Sequence, residues 1–285
     1  MSHLDGADSR SKLVLFLDFN KAFETIDRLA TLEVLVKRGV SGRLLAWIGD
    51  YLYRRRAHVR FQGARSRTRH FKKGTPQGGV MGPFLMNVNV YEILDRRYPT
   101  GTYLVVYADD VILVVTGRNL YVRAQKCLDI LGEAADDLGL KFGVPEKTEA
   151  MLVRGRRPPD LQLLIHDRPV TWVIHHQCLG VFVDRQLTFK AHIDYLKRRA
   201  WERLNAMRVL ANCKQGATYT VLKTYYVMAI RSLIDYCAPL LVAVKPNTLK
   251  PLQKLQNVAC RQILGAPTWT RTETMEAELG LEPID

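Results

Sequence analysis

The sequence has few of the features that would place it outside the cell or in a membrane. Its five cysteines stand at 127, 178, 213, 237 and 260, an odd number with no C-x-x-C pair. That pattern suits neither a disulfide framework nor a cysteine zinc site, and it points to a reducing compartment. The N-terminus, MSHLDGADSRSK, lacks the apolar segment of a secretory signal. No apolar run reaches the roughly 18 residues that a transmembrane helix needs, so no membrane-spanning segment is expected. Acidic residues are also scarce, with 28 Asp and Glu against 42 Lys and Arg, for a net charge of +14. The excess favours a polyanionic partner, nucleic acid first and an anionic membrane surface second. With 47% hydrophobic residues, the 285-residue chain has enough apolar material for a sizeable core, and its length allows two domains. The expected protein is intracellular, in nucleus or cytoplasm.

The texture changes along the chain. Residues 1–11 are polar and read as a disordered leader. Lys12 to Phe19 (KLVLFLDF) is almost continuously apolar, the pattern of a strand buried on both faces. Apolar positions Phe23, Ile26, Leu29, Leu32 and Val36 predict one helix over 21–38, stopped by Gly39, and Leu44, Leu45, Ile48 and Leu52 predict another over 42–53. Arg54 to Lys73 holds nine basic residues and no acid, in short alternating stretches that suggest a two-stranded ribbon with basic side chains outward. Gly74 to Gly79 (GTPQGG) is a loop by composition. A helix over 83–97 is followed by TYLVVYADDVILVV, a hairpin with a polar tip, and by a helix over 119–138. Short strands recur to Val183, and helices over 190–212, 217–235 and 246–264 take their place beyond Leu187. The reading is an α+β domain over 12–187 with an antiparallel sheet, then a helical domain over 188–285.

Asp18 ends the buried strand, and Asp109 and Asp110 form the tip of the apolar hairpin. A carboxylate there is costly to bury without a turn role, a cation or a metal. Taken singly, each is equally well a helix cap or a turn residue. Three carboxylates on adjacent strand ends have a further use, because they can hold two Mg²⁺ ions, hard cations that take oxygen ligands. Two such metals about 3.5–4 Å apart stabilise the attacking and leaving oxygens of a phosphoryl displacement. A basic chain with an acidic pocket suits that chemistry.

Five segments, LFLDFNKAFETID, GTPQGGVMGP, YADD, GLKFGVPEKTE and LGVFVD, follow one another between residues 15 and 184. In this order they resemble the reverse transcriptases of retrotransposons without long terminal repeats, of the jockey-like kind. The C-terminal LQNVACRQILGAPTWTRTETMEAELGLEPI is similar to the region after the polymerase in such elements, so the resemblance covers about 12–285. It implies a right-hand polymerase, here palm, partial fingers and an α-helical thumb, acting as an RNA-directed DNA polymerase on an RNA template, a DNA primer and dNTPs. In that family Asp18, Asp109 and the Phe19 carbonyl would ligate two Mg²⁺ ions, or Mn²⁺ in their stead, with Asp110 supporting the site. Phe23 would exclude a ribose 2′-hydroxyl, although by pattern alone it is a core residue at helical spacing. Gln77 and Gly78 would meet the incoming nucleotide, and Lys147 would assist the leaving pyrophosphate. Leu179-Gly180 and VFVD resemble a primer-gripping hairpin.

The basic ribbon, with Arg54, Arg55, Arg56, Arg60, Arg65, Arg67, Arg69, Lys72 and Lys73, is the expected template contact. Lys197, Arg198, Arg199 and Arg203 are weighed as a thumb surface against a merely solvated face. His175, His176 and Cys178 lack a zinc-spaced partner and read as structural. Tyr225, Tyr226, Met228 and Leu233 read as core. Two features depart from the family pattern. Glu24 replaces an Asp, at a position that does not ligate metal. Only 11 residues precede the first strand, too few for the fingers strands that hold a triphosphate. Two other readings therefore stand beside the polymerase: a catalytically inactive nucleic-acid-binding remnant, and a maturase-like RNA-binding splicing factor.

Overall fold

The computed structural model describes residues 11–155, 162–211 and 216–284. The leader expected at 1–11 lies outside these apart from Ser11, as does Cys213. The chain forms two compact units, divided between Ile174 and His175.

In the first unit, strand β1 (Lys12–Asp18) is buried along its length up to Asp18. It occupies the centre of a five-stranded sheet, as a strand apolar on both faces must. Helix α1 (Ala22–Thr25) follows, then α2 (Arg28–Lys37) and α3 (Gly42–Leu52). The single helix expected over 21–38 is thus broken at Ile26-Asp27. The Asp27 carboxylate accepts hydrogen bonds from the Leu29 and Ala30 amides at 2.8 and 3.2 Å, which caps a new helix start. The break shifts the helical phase. Leu29 and Val36 are 61% and 54% exposed, and Thr31, Val34 and Leu35 face inward instead. Leu44, expected inward, is also exposed, whereas Ile48 and Leu52 are buried.

The basic ribbon comprises β2 (Arg56–Ala57), β3 (Arg60–Phe61), β4 (Ala64–Arg65) and β5 (Arg69–His70). Helix α4 (Met81–Leu94) leads to the hairpin of β6 (Thr102–Tyr107) and β7 (Asp110–Val115), and α5 (Leu120–Asp137) leads to β8 (Glu149–Val153). The short strands β9 (Leu164–Ile165), β10 (Arg168–Pro169) and β11 (Thr171–Trp172) complete the unit. The main sheet runs β11-β8-β1-β7-β6. Its pairs are antiparallel except β11–β8, which is parallel because the β9–β10 hairpin turns the chain before it reaches the edge. Met86, Val90 and Ile93 of α4 and Cys127, Leu128 and Leu131 of α5 join the β1 and β7 side chains in one buried core.

The second unit opens with the hairpin of β12 (His175–Cys178) and β13 (Val181–Asp184), followed by α6 (Lys190–Ala211). Sequence texture places the domain boundary near 187, but the hairpin groups with the helices. Val181 and Val183 are buried, and the Phe182 amide donates to Nδ1 of the buried His192 on α6 at 3.3 Å. The helix expected over 217–235 is α7 (Tyr219–Tyr225), a π-helical turn (Tyr226–Arg231) and α8 (Ser232–Asp235). The wider turn breaks the 3.6-residue phase. Tyr226 is buried while Met228, expected in the core with it, is 72% exposed, since residues two apart do not share a helix face. The short α9 (Ala238–Leu241) precedes α10 (Pro246–Leu264), and α11 (Thr272–Leu279) lies beyond the expected helices. Gln256 on α10 accepts from the Tyr226 hydroxyl at 2.8 Å and donates to Glu276 on α11 at 2.8 Å, which fixes the last helix. Among the described residues, no helix is long and apolar enough to cross a membrane.

Candidate active site and nucleic-acid interface

Asp18 and Asp110 are direct cross-strand partners at one end of the β1–β7 ladder. Asp109 belongs to the two-residue turn between Tyr107 and Asp110, where Ala108 takes a left-handed φ of 54°. Like charges placed across a ladder repel. The compensating cation is Lys147, whose ammonium lies 2.7 Å from Asp18 Oδ2. That hydrogen bond, with the charges of Asp18, Asp109 and Asp110, raises the Lys147 pKa. The segment before Lys147 is stitched to the same strand end, for Gly143 N–H donates to the Asp18 carbonyl and Lys147 N–H to the Gly143 carbonyl. Asp18 Oδ1 is buried and has no hydrogen-bond partner.

A divalent cation suits these donors chemically. Asp18 has an orphaned carboxylate oxygen, Asp110 is its cross-strand partner and Asp109 adjoins it in the turn, and oxygen is the preferred ligand of Mg²⁺. Yet among the described residues no three His, Cys, Asp or Glu side chains converge closely enough to hold a metal ion. In this arrangement Lys147 supplies the positive charge. His175, His176 and Cys178 form no such group either.

The remaining expected site residues lie just after β1, on α1 and in the GTPQGG loop of the first unit. The Phe19 side chain is in the core, stacked on Phe142 with ring centroids 4.6 Å apart. The backbone bonds of that bridge run from Asn20 to Lys141 and from Gly143 to Asp18, so they leave the Phe19 carbonyl unused. Phe23 is half-buried against the core. Its carbonyl accepts from the Thr75 amide at 2.7 Å, and the Ile26 carbonyl accepts from the Gly74 amide at 2.9 Å. These bonds dock the GTPQGG loop beside Phe23 and leave Gln77 and Gly78 exposed, with Gly78 at φ 79°. Gly74 is required there, since it sits at φ 77° and a Cβ would lie 2.4 Å from the Phe23 oxygen.

Sequence pattern gave no sign that Arg28 shapes this loop. Buried in α2, its guanidinium donates to the carbonyls of Phe71 at 2.6 Å and Lys73 at 3.0 Å.

Every residue from Arg56 to Lys73 is exposed. Arg54, Arg56, Arg60, Arg65, Arg67, Arg69, Lys72 and Lys73 thus remain on the surface, as expected of an outward basic ribbon. Arg55 does not. It is half-buried, and its guanidinium donates to the Lys73 and Gly74 carbonyls at 2.9 Å each, closing the base of the ribbon. Burial, followed by the charge of Arg28, lowers its pKa. In the second unit Lys197, Arg198 and Arg199 are exposed, and Arg199 pairs with Glu202 at 3.3 Å. Arg203 instead turns inward and donates to the Ala229 carbonyl.

The family model "Reverse transcriptase (RNA-dependent DNA polymerase)" matches residues 3–194. Similar proteins include the "Probable RNA-directed DNA polymerase from transposon BS" of Drosophila melanogaster, 27% identical over 95% of this chain. The "RNA-directed DNA polymerase from mobile element jockey" of Drosophila funebris is 25% identical over 94% of the chain. The chain spans only 31% and 30% of the length of these two relatives. A solved apo telomerase from Candida tropicalis superposes with a TM-score of 0.51 at 9% identity, over 97% of this chain and 45% of that one, a likeness of fold. The matched segment holds both strand-end aspartates, the Gln77 loop and Lys147, and the chain belongs to the reverse transcriptase family.

Proposed function

We propose that this chain is the palm-containing part of an RNA-directed DNA polymerase, which transfers a deoxynucleotide from a dNTP to a primer 3′-hydroxyl on an RNA template. The observation that carries the reading is the Asp18–Asp110 pair across the β1–β7 ladder, with an orphaned Asp18 oxygen and Asp109 in the adjoining turn. Asp18, Asp109 and the Phe19 carbonyl are the proposed ligands of two Mg²⁺ ions, and Asp110 supports them. Those ions, when bound, would polarise the α-phosphate and stabilise the attacking and leaving oxygens. Lys147 then has a second use. Released from Asp18, its ammonium would be free to neutralise or protonate the departing pyrophosphate. Phe23, on the docked loop's inner side, would leave no room for a ribose 2′-hydroxyl, and Gln77 and Gly78 would meet the nucleotide. The exposed ribbon cations would hold template phosphates.

A second reading, a nucleic-acid-binding domain without catalysis, is favoured by one observation: the acidic side chains do not converge on a common metal position. Primer extension on an RNA template with Mg²⁺ and dNTPs separates the two. Extension by the parent chain, abolished in the Asp109→Asn, Asp110→Asn variant, supports the polymerase. Absence of extension by both, with salt-dependent primer–template binding retained, supports the binding domain.

A further inference from the structure

The ribbon is not a regular hairpin. Near its base Arg56 pairs with His70 and Ala57 with Arg69, and near its tip Arg60 pairs with Arg65 and Phe61 with Ala64. Between these two ladders one strand contributes His58 and Val59, while the other contributes Ser66, Arg67 and Thr68. The second strand therefore carries one extra residue, a β-bulge.

Ser66 holds the bulge. Its amide donates to the Val59 carbonyl at 2.9 Å, as in an ordinary ladder. The Val59 amide, however, donates to the Ser66 hydroxyl at 2.8 Å, and that hydroxyl donates onward to the Arg67 carbonyl at 3.2 Å. A side-chain oxygen thus takes the place of a main-chain acceptor where the register changes.

The shift decides which face each arginine occupies. Had the register of the base ladder continued, Arg60 would oppose Ser66, and Arg65 would oppose Phe61 on the other face. With the bulge, Arg65 lies directly across from Arg60, on the face that alternation also assigns to Arg56. Val59 and Phe61, 69% and 70% exposed, share the opposite face. Two arginines directly across a ladder repel each other, and the ribbon holds no acid to neutralise them. An anion between them relieves that repulsion.

We propose that Arg56, Arg60 and Arg65 form a one-faced clamp for the phosphodiester backbone of a nucleic-acid strand, and that Ser66 is its positioning residue. The proposal rests on the reading of the ribbon as a template contact and specifies which face is used and what sets it. The ribbon docks with its arginine face on the phosphates and turns Val59 and Phe61 away.

The test is fluorescence anisotropy of the full chain with a labelled RNA–DNA duplex, titrated from 50 to 200 mM salt. Each phosphate that is no longer neutralised lowers the slope of log affinity against log salt by about 0.9. Arg60→Gln with Arg65→Gln is expected to lower it by about 2. Ser66→Ala is expected to lower it by about 1 with no change in charge, and Ser66→Thr, which keeps the hydroxyl, to restore it. Arg69→Gln, on the other face, is expected to change it less than Arg60→Gln or Arg65→Gln. A wild-type slope in Ser66→Ala would overturn the proposal, as would an Arg69→Gln loss equal to that of Arg65→Gln. The arginine ranking does not depend on how Ser66→Ala folds. If the parent chain bound the duplex without salt dependence, the template-contact reading itself would fall.

Discussion

Arg28 makes the docking of the GTPQGG loop measurable. Its bonds to the Phe71 and Lys73 carbonyls are made by a charged donor, and each such bond contributes roughly 1.5–3 kcal/mol. A third contact, to the Gly74 carbonyl at 3.5 Å, is too long to add much. Arg28→Met removes all three but does not orphan every carbonyl, because Arg55 still bonds Lys73 and Gly74. Only the Phe71 carbonyl loses its partner, and removing a guanidinium also relieves its desolvation and its repulsion by Arg55. The expected cost is therefore about 3 kcal/mol, the lower end of the roughly 3–6 kcal/mol sum. Arg55→Gln alone costs less, since Arg28 still holds Lys73. With both replaced, the Lys73 and Gly74 carbonyls lose every guanidinium donor, so the double variant should exceed the sum of the singles by about 1 kcal/mol or more. Urea unfolding of the four proteins at constant pH measures all these differences. Additivity within about 0.3 kcal/mol would refute the shared-carbonyl account. So would an Arg28→Lys variant as stable as the parent, because an ammonium lacks the guanidinium's fork of donors.

Two other perturbations follow from the same geometry. Gly74→Ala combines a left-handed backbone with a Cβ 2.4 Å from the Phe23 oxygen, so the loop must leave α1; primer extension should fall at least tenfold with the second unit's stability unaltered, and near-parental extension would contradict it. Glu92 carries an acid-dependent contribution. Burial raises its pKa, but the hydrogen bonds from Lys37 at 2.5 Å and Arg38 at 2.6 Å outweigh it and leave the value lowered. A lowered carboxylate pKa gives stability that is present above about pH 4.3 and lost as pH falls through the folded value. Glu92→Gln should therefore cost about 1 kcal/mol at pH 7 and converge on the parent in acid, whereas a constant difference from pH 7 to pH 3 would exclude the ion pairs as its source.

The strand ends that carry Asp18 and Asp110 were legible because an acid that breaks a long apolar run has few places to go except the exposed end of a buried strand. Adjacent strand ends are expected too, but not the register that sets Asp18 directly across from Asp110, which depends on how β1 and β7 pair. The break at Asp27 had a local sign, an Asp before a helical segment, but the apolar periodicity running across it was louder and gave the wrong inner face. Arg55 and Arg203 look like their exposed neighbours in sequence; only the carbonyls they reach distinguish them. The parallel β11 edge and the π-helical turn are likewise settled by packing, which composition does not encode.

The strand β1 that carries Asp18 has apolar side chains on both faces and is buried on both. A strand with one wet face resists slipping, because a shift of one residue would turn its apolar set into water. β1 has no such safeguard: a one-residue slip against β7 would still bury leucines, valines and a phenylalanine. What it would move is Asp18, away from Asp110 and Lys147 and into the dry interior. A slip that draws Asp18 inward would take its carboxylate from Lys147 into apolar surroundings, so the charge at the strand's end disfavours that register.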